Sequence, residues 1–215
     1  MPEDSFARAR SAEQRASRVA AILRAADEML QEVRVADLTL NELSRRVGLA
    51  KSNVLRYFPS REAVLLQLLD RETNDWLGDI ETRLAVGEDL AAAIAAAAAS
   101  RPVFCDLTAS AAGALERNVS GEVATHYKRA SLASSERLAR LAGFDSIAHH
   151  GAQLFVAAVL LVIGGVWASS QPSEGMRAAY AEHPDLQPFR IDFESAVREL
   201  VATWLAGVQA RQFAD

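Results

Sequence analysis

Five cationic side chains, Arg45, Arg46, Lys51, Arg56 and Arg61, stand in one stretch of the chain with no aspartate or glutamate among them. Ser52, Asn53 and Tyr57 are interleaved with them and add hydrogen-bonding groups. The chemistry open to such a set is recognition of a polyanion that also displays hydrogen-bonding edges. Guanidinium and ammonium groups neutralise phosphates and release their counterions. An arginine can take both acceptors of a guanine edge, and an asparagine can satisfy the donor and the acceptor of an adenine edge. The net charge of −5 over 215 residues looks wrong for such a partner until it is divided along the chain. Residues 1–62 hold 11 Lys/Arg against 9 Asp/Glu, a net +2, whereas residues 63–215 hold 12 against 19, a net −7. The cationic excess therefore sits where phosphate binding requires it.

Other chemistries find little support. His149 and His150 are adjacent, so on a helix they diverge rather than chelate, and His126 and His183 are distant in sequence. No metal site is expected, and with no glycine-rich phosphate loop no cofactor is expected either. Cys105 is the single cysteine, which excludes an internal disulfide and fits a reducing, cytoplasmic setting. It reads as a small buried hydrophobe rather than a nucleophile. The opening MPEDSFARAR lacks an apolar core segment, so no secretion signal is expected.

Two short helices and a corner must position the cationic set. Thr39 with Glu42 three residues on forms a capping box, in which hydroxyl and carboxylate satisfy backbone donors that a helix start leaves open. Leu40, Leu43 and Val47 recur at helical spacing, and Gly48 supplies the left-handed conformation that ends the helix. The spacing predicts a second helix over Lys51 to Phe58, with Val54, Leu55 and Phe58 turned inward and Lys51, Ser52, Asn53, Arg56 and Tyr57 outward, until Pro59 blocks continuation. Residues 39–58 thus read as a helix-turn-helix, whose second helix enters the DNA major groove.

The order of residues narrows this further. A capped helix, an apolar-Gly-apolar corner, Lys51, the pair Tyr57-Phe58, and Pro59-Ser60-Arg61-Glu62 ahead of an apolar run resemble the N-terminal domain of the TetR family of transcriptional regulators, over residues 15–76. Three positions depart from the family pattern. Leu55 stands where a tyrosine is most frequent, which removes a phosphate contact. Ala50 stands where a serine or threonine often caps the recognition helix, a side-chain cap worth about 1 kcal/mol. Arg34 stands where a glycine usually closes helix 1, which implies a differently shaped corner. The resemblance implies base contacts from Lys51, Ser52, Asn53 and Arg56, with Thr39, Tyr57 and Arg61 fixing the register on phosphates. Arg45 belongs to the same cationic footprint.

The remaining chain is read as all helix, in two parts: a DNA-binding domain over 1–62 and a ligand-binding, dimerising body over 63–215. Residues 5–14 look like a flexible arm, followed by a helix with the stripe Val19, Ile22, Ala26, Met29 and Leu30 ending near Val33. Arg8, Arg10, Arg15 and Arg18 either reach phosphate or minor groove or serve only as solubilising charge. Ser60 caps a fourth helix carrying Leu65, Leu68, Leu69, Trp76, Ile80 and Leu84. In the family it resembles, that helix is the lever between effector and DNA-reading head. Gly87 marks a break, an alanine-rich helix covers 88–99, Pro102 opens another, and Ser120 caps one that runs to Gly143. Trp76, Phe104, Cys105, Thr108, Leu115, His126 and Tyr127 are the large or polar-tipped side chains from which a small-molecule cavity would be made, although each also fits ordinary core.

From Ala152 to Pro172 no residue is charged, a run long enough to raise a membrane span. No basic cluster flanks it and Gly164-Gly165 interrupts it, so a helix buried between subunits is the preferred reading and no membrane is expected as a partner. Phe193, Val197, Leu200, Val201, Trp204, Leu205 and Val208 then form a broad stripe that a further layer must cover. The resemblance implies a four-helix homodimer interface from these last two long helices, with residues 171–190 a loop that can hold a short helix. The function implied is a DNA-binding regulator and not an enzyme: a repressor that answers a small apolar effector and binds a palindromic operator as a dimer. The alternative is a helical enzyme or membrane-associated protein carrying a TetR-like head.

Overall fold

The computed structural model describes residues 3–212, with side-chain environments from Ala12 to Arg211. It contains ten α-helices and no strand among the described residues. They are α1 (Glu3–Leu30), α2 (Leu40–Val47), α3 (Lys51–Leu55), α4 (Arg61–Ala85), α5 (Leu90–Ala99), α6 (Pro102–Ser110), α7 (Gly121–Leu141), α8 (His150–Ser170), α9 (Glu174–Glu182) and α10 (Phe193–Gln212). Three-residue-per-turn segments cover Glu116–Asn118 and Pro184–Phe189.

The head is built on a few large apolar side chains. Ile22, Ala26 and Met29 of α1, Leu43 of α2, Val54 and Phe58 of the α3 region, and Val64, Leu65 and Leu68 of α4 are all buried. Val35 and Leu38 seat the α1–α2 connection in the same core. Each such side chain contributes about 1.5–3 kcal/mol by leaving water. Two expectations fail here. The N-terminal segment is not an arm, because α1 begins at Glu3. It lacks an apolar stripe, so no burial signal marked it, while its Ala, Arg and Glu content favours helix on its own. The helix also ends at Leu30, and Val33 is exposed. The corner that carries Arg34 closes without any left-handed residue: the amides of Glu32 and Val33 both donate to the Met29 carbonyl.

At 25 residues, α4 is roughly 38 Å long and runs unbroken from head to body. Its Trp76 is buried, stacks on Phe104 of α6 with centroids 5.0 Å apart, and donates its indole N–H to the Ile94 carbonyl of α5 at 3.3 Å. The alanines of α5 let neighbours approach closely, and α10 packs on both α5 and α8. Gly164 does the same for α8, since a Cβ there would stand 3.2 Å from the Ala109 Cα of α6. Just beyond that contact, α6 widens into a single π turn, Ala111–Leu115. By length and composition α8 could cross a membrane, but its inner side is buried against α6, α7 and α10.

Val197, Val201 and Val208 of the α10 stripe are buried within the chain. Leu200 and Trp204, four residues apart, remain exposed at 42% each, and Leu161 of α8 is exposed at 73%. Leu132 of α7, expected on an apolar stripe, is also exposed. Residues 171–190 hold α9, capped by the Ser173 hydroxyl on the Met176 amide.

Candidate nucleic-acid interface

Local chemistry fixes the two helices of the motif. The Thr39 hydroxyl accepts from the Glu42 amide at 3.3 Å, the expected N-cap, while the Glu42 carboxylate accepts from that hydroxyl at 2.8 Å rather than from a backbone amide, so the capping box is half formed. Gly48 takes φ 72° and ψ 29°, and its amide donates to the Arg45 carbonyl while that of Leu49 donates to Ser44. A side chain at that φ would be strained. Ala50 offers no side-chain cap to α3. The helix lasts only five residues, then tightens as the Tyr57 and Phe58 amides both donate to the Val54 carbonyl. Leu55 is 39% exposed, against its expected inward position, because it lies about 100° around the helix from Val54, whereas Phe58 falls within about 40° of Val54 and both of these stay buried.

Lys51, Ser52, Asn53 and Arg56 are exposed on one side of this short helix. Arg45 is 78% exposed and only 3.9 Å from Glu42, a loose pair at the surface. Arg46 is engaged by Glu32 at 2.7 Å. Tyr57 is half-buried, and the Arg15 guanidinium of α1 lies 5.5 Å from its ring centroid. Arg15, Arg18 and Arg56 line one open groove between α1 and the end of α3, with no acid in its walls. Arg8 and Arg10 have side chains outside the described residues.

Arg61 is placed differently from the exposed set. Its guanidinium donates to the Val35 carbonyl, lies 3.5 Å from Glu62, and has a buried Nε without a partner among the described residues. The Val35 amide in turn donates to the Asp106 carboxylate of α6 at 2.7 Å. One residue of the α1–α2 connection is therefore held by α6 through its N–H and by α4 through its C=O. A second tie runs from Asp27 of α1 to Arg71 at 3.0 Å, on to the buried Glu72, then to Arg101, which holds Asp79 at 2.7 Å. Burial and the nearby Asp27 push the Glu72 carboxyl above its usual range, with Arg71 and Arg101 pulling it back. Asp106→Ala should cost about 1.5–3 kcal/mol in denaturant unfolding, because it removes a charged acceptor and strands a buried amide. Asp106→Asn keeps an acceptor and should cost visibly less.

The seven residues proposed to line a cavity do not converge. Trp76, Thr108 and Tyr127 line a cavity of about 420 Å³ between α4, α6, α7 and α8. Phe104 stands behind Trp76, and Leu115 is buried in the π turn. Cys105 is buried, donates to the Ala98 carbonyl, and has its thiol pushed up to about 12 by burial and by Asp106, as befits an unreactive thiol. His126 lies in an adjoining cleft of about 730 Å³ between α7 and the head, which shares Asp70 and Tyr127 with the cavity and is also lined by Leu55, Arg56 and Tyr57. Sequence reasoning missed Asp70, Thr73, Glu116, Lys128, Ser131 and Gln153 as cavity residues. Asp70 and Thr73 sit at helical spacing before Trp76, so extending that face along α4 would have found them. Among the described residues no group of three His, Cys, Asp or Glu is placed to hold a metal ion.

Residues 22–68 match the family model described as Bacterial regulatory proteins, tetR family, and residues 70–212 match Tetracyclin repressor-like, C-terminal domain. The chain is similar to the HTH-type transcriptional regulator EthR of Mycobacterium tuberculosis (strain ATCC 25618 / H37Rv), with 43% identity over 54 residues, 25% of either chain. It is 40% identical over 53 residues to the regulator of the same name from Mycolicibacterium smegmatis, 25% of this chain and 24% of that one. The matched stretch thus spans about a quarter of the length of these curated relatives.

Proposed function

The chain belongs to the tetR family of bacterial regulatory proteins, and on that premise we propose that it is a cytoplasmic, ligand-responsive repressor that binds a palindromic operator as a homodimer. The observation that carries this reading is the exposed row Lys51, Ser52, Asn53 and Arg56 on α3, inside a stretch from Arg45 to Arg61 without an acid. In this reading those four side chains face base edges, while Thr39, Arg45 and Tyr57 set the register on phosphates. Arg61, bonded to the Val35 carbonyl, holds the head's corner in place and keeps further N–H groups of its guanidinium for a phosphate. The groove of Arg15, Arg18 and Arg56 continues the cationic surface onto α1 and favours the phosphate-reaching alternative for the two α1 arginines.

The body supports the rest of the proposal. Leu200 and Trp204 leave an apolar face open on α10, and a second copy of the chain would cover it. The 420 Å³ cavity adjoins α6, whose Asp106 holds Val35, so an occupant that displaces α6 acts on the reading head directly as well as through α4. The two family models part at residues 68–70, within α4, a few residues after the proposed domain boundary at 62.

Selection of bound sites from random duplex DNA tests the reading and yields the operator. On the selected site, Arg56→Ala should weaken binding by about 1–3 kcal/mol, roughly 5- to 150-fold, and relax preference at one or two base pairs. Arg45→Ala should instead weaken all duplexes alike and flatten the salt dependence by about one phosphate. Equal losses on selected and random DNA for both variants would refute these roles, and recovery of no enriched site would refute the function.

A further inference from the structure

The cavity between α4, α6, α7 and α8 carries donors on Gln153, Ser134 and Ser135, but on its other polar walls it offers mainly acceptors and an unpaired carboxylate. The hydroxyl protons of Thr73, Thr108 and Ser131 are committed to the carbonyls of Leu69, Phe104 and Tyr127, at 2.7, 2.7 and 2.9 Å. What these residues still present to the cavity is lone pairs. The Trp76 indole N–H is likewise spent on Ile94, leaving the ring as an apolar wall. Lys128 is the one cation of the lining; it is held by Glu116 at 2.8 Å and lies 5.2 Å from the Tyr127 ring centroid. Asp70 has no cationic partner in an ion pair among the described residues; Asn74 donates to one of its oxygens at 3.3 Å. Burial pushes the Asp70 carboxyl above its usual range, with His126 and Asn74 opposing. The formal charge of the lining is therefore −1, from Asp70, Glu116 and Lys128, and its unmatched group is a carboxylate.

We infer that this cavity takes an organic cation: a protonated amine on an aromatic or otherwise apolar body, with the ammonium on Asp70 and the Thr and Ser lone pairs, and the body against Trp76, Leu77 and Leu138. This rests on the effector-responsive reading above and names the chemical class of the effector. At about 420 Å³ the cavity falls in the range of about 300–1,000 Å³ found for small-molecule sites. A carboxylate ligand meets the opposite situation, since every charge it could pair with is already neutralised. A neutral ligand gains the apolar contacts but leaves Asp70 unmatched.

The test uses the full chain and three probes of one skeleton: 4-phenylbenzylamine, 4-phenylbenzyl alcohol and biphenyl-4-carboxylate. Binding is read by calorimetry and by the rise in melting temperature. The expected result is an amine at least ten-fold tighter than the alcohol, and no binding of the carboxylate. Asp70→Asn, at a half-exposed position that tolerates an isostere, should erase the preference for amine over alcohol while sparing the alcohol. Ala157→Trp, which fills the cavity from α8, should abolish binding of amine and alcohol together. An alcohol or carboxylate that binds as tightly as the amine, an amine preference that survives Asp70→Asn, or failure of all three probes would overturn the inference. Operator selection on the ligand-free protein is independent of these outcomes, so an enriched DNA site with no amine binding would remove this inference and leave the regulator reading standing.

Discussion

Leu200→Asp combined with Trp204→Asp should yield a folded monomer that binds a single half-site normally and a complete operator about 100- to 10,000-fold more weakly. The two side chains lie one helical turn apart on α10 and are exposed together, while Val197, Val201 and Val208 of the same helix are buried against α5 and α8. Carboxylates on the outer face leave the inner packing intact but would have to be buried without partners if a second copy docked there. A dimer makes its second half-site contact intramolecular, and losing that advantage accounts for the drop of about 100- to 10,000-fold. Light scattering and circular dichroism decide the matter. A dimeric mass for the doubly substituted protein would place the interface elsewhere, and loss of helix content would show that the face belongs to the fold.

Trp76→Ala should lower stability by about 3–5 kcal/mol. For a chain of 215 residues that corresponds to a fall in melting temperature of roughly 6–20 °C. The size follows from what the indole joins. It is fully buried on α4, stacked on Phe104 of α6 and bonded to the Ile94 carbonyl of α5, so its removal opens a void where three helices meet. Trp76→Phe keeps a ring on Phe104 and loses chiefly the N–H bond, so it should cost only about 1 kcal/mol plus a small packing loss. Similar destabilisation by both substitutions would mean that the hydrogen bond, rather than the stacked ring, holds the junction.

What could be read from the residues was mostly what local chemistry decides. Thr39, Ser60 and Ser120 cap the helices they were expected to cap, Pro102 opens α6, and Gly48 takes its left-handed turn. The inward side of α10 was half legible: the stripe was broader than one neighbour could cover, and the structure divides it between an inner and an outer face. The misses have a common cause in phase and distance. Leu55 sits about 100° around α3 from Val54, at the edge of an inward face only wide enough for Val54 and Phe58. The Arg61 contact reaches a backbone carbonyl 26 residues away, a tie within the head that the charge run gave no sign of. Of the side chains assigned to one cavity, Phe104 and Cys105 of α6 are core, Leu115 is buried in the π turn and His126 of α7 lines a second cleft, a division set by how separate helices pack rather than by spacing within any one of them.

Residue Val35 lies outside both the exposed row of α3 and the cavity lining, yet it is where α4 and α6 both take hold of the head. Its amide is held by α6 and its carbonyl by α4, so an effector that displaced those two helices unequally would tilt this residue and the corner it belongs to. A genetic screen for variants that stay bound to their site whatever the effector concentration should consequently return changes at Asp106 and Arg61 as readily as changes in the pocket itself.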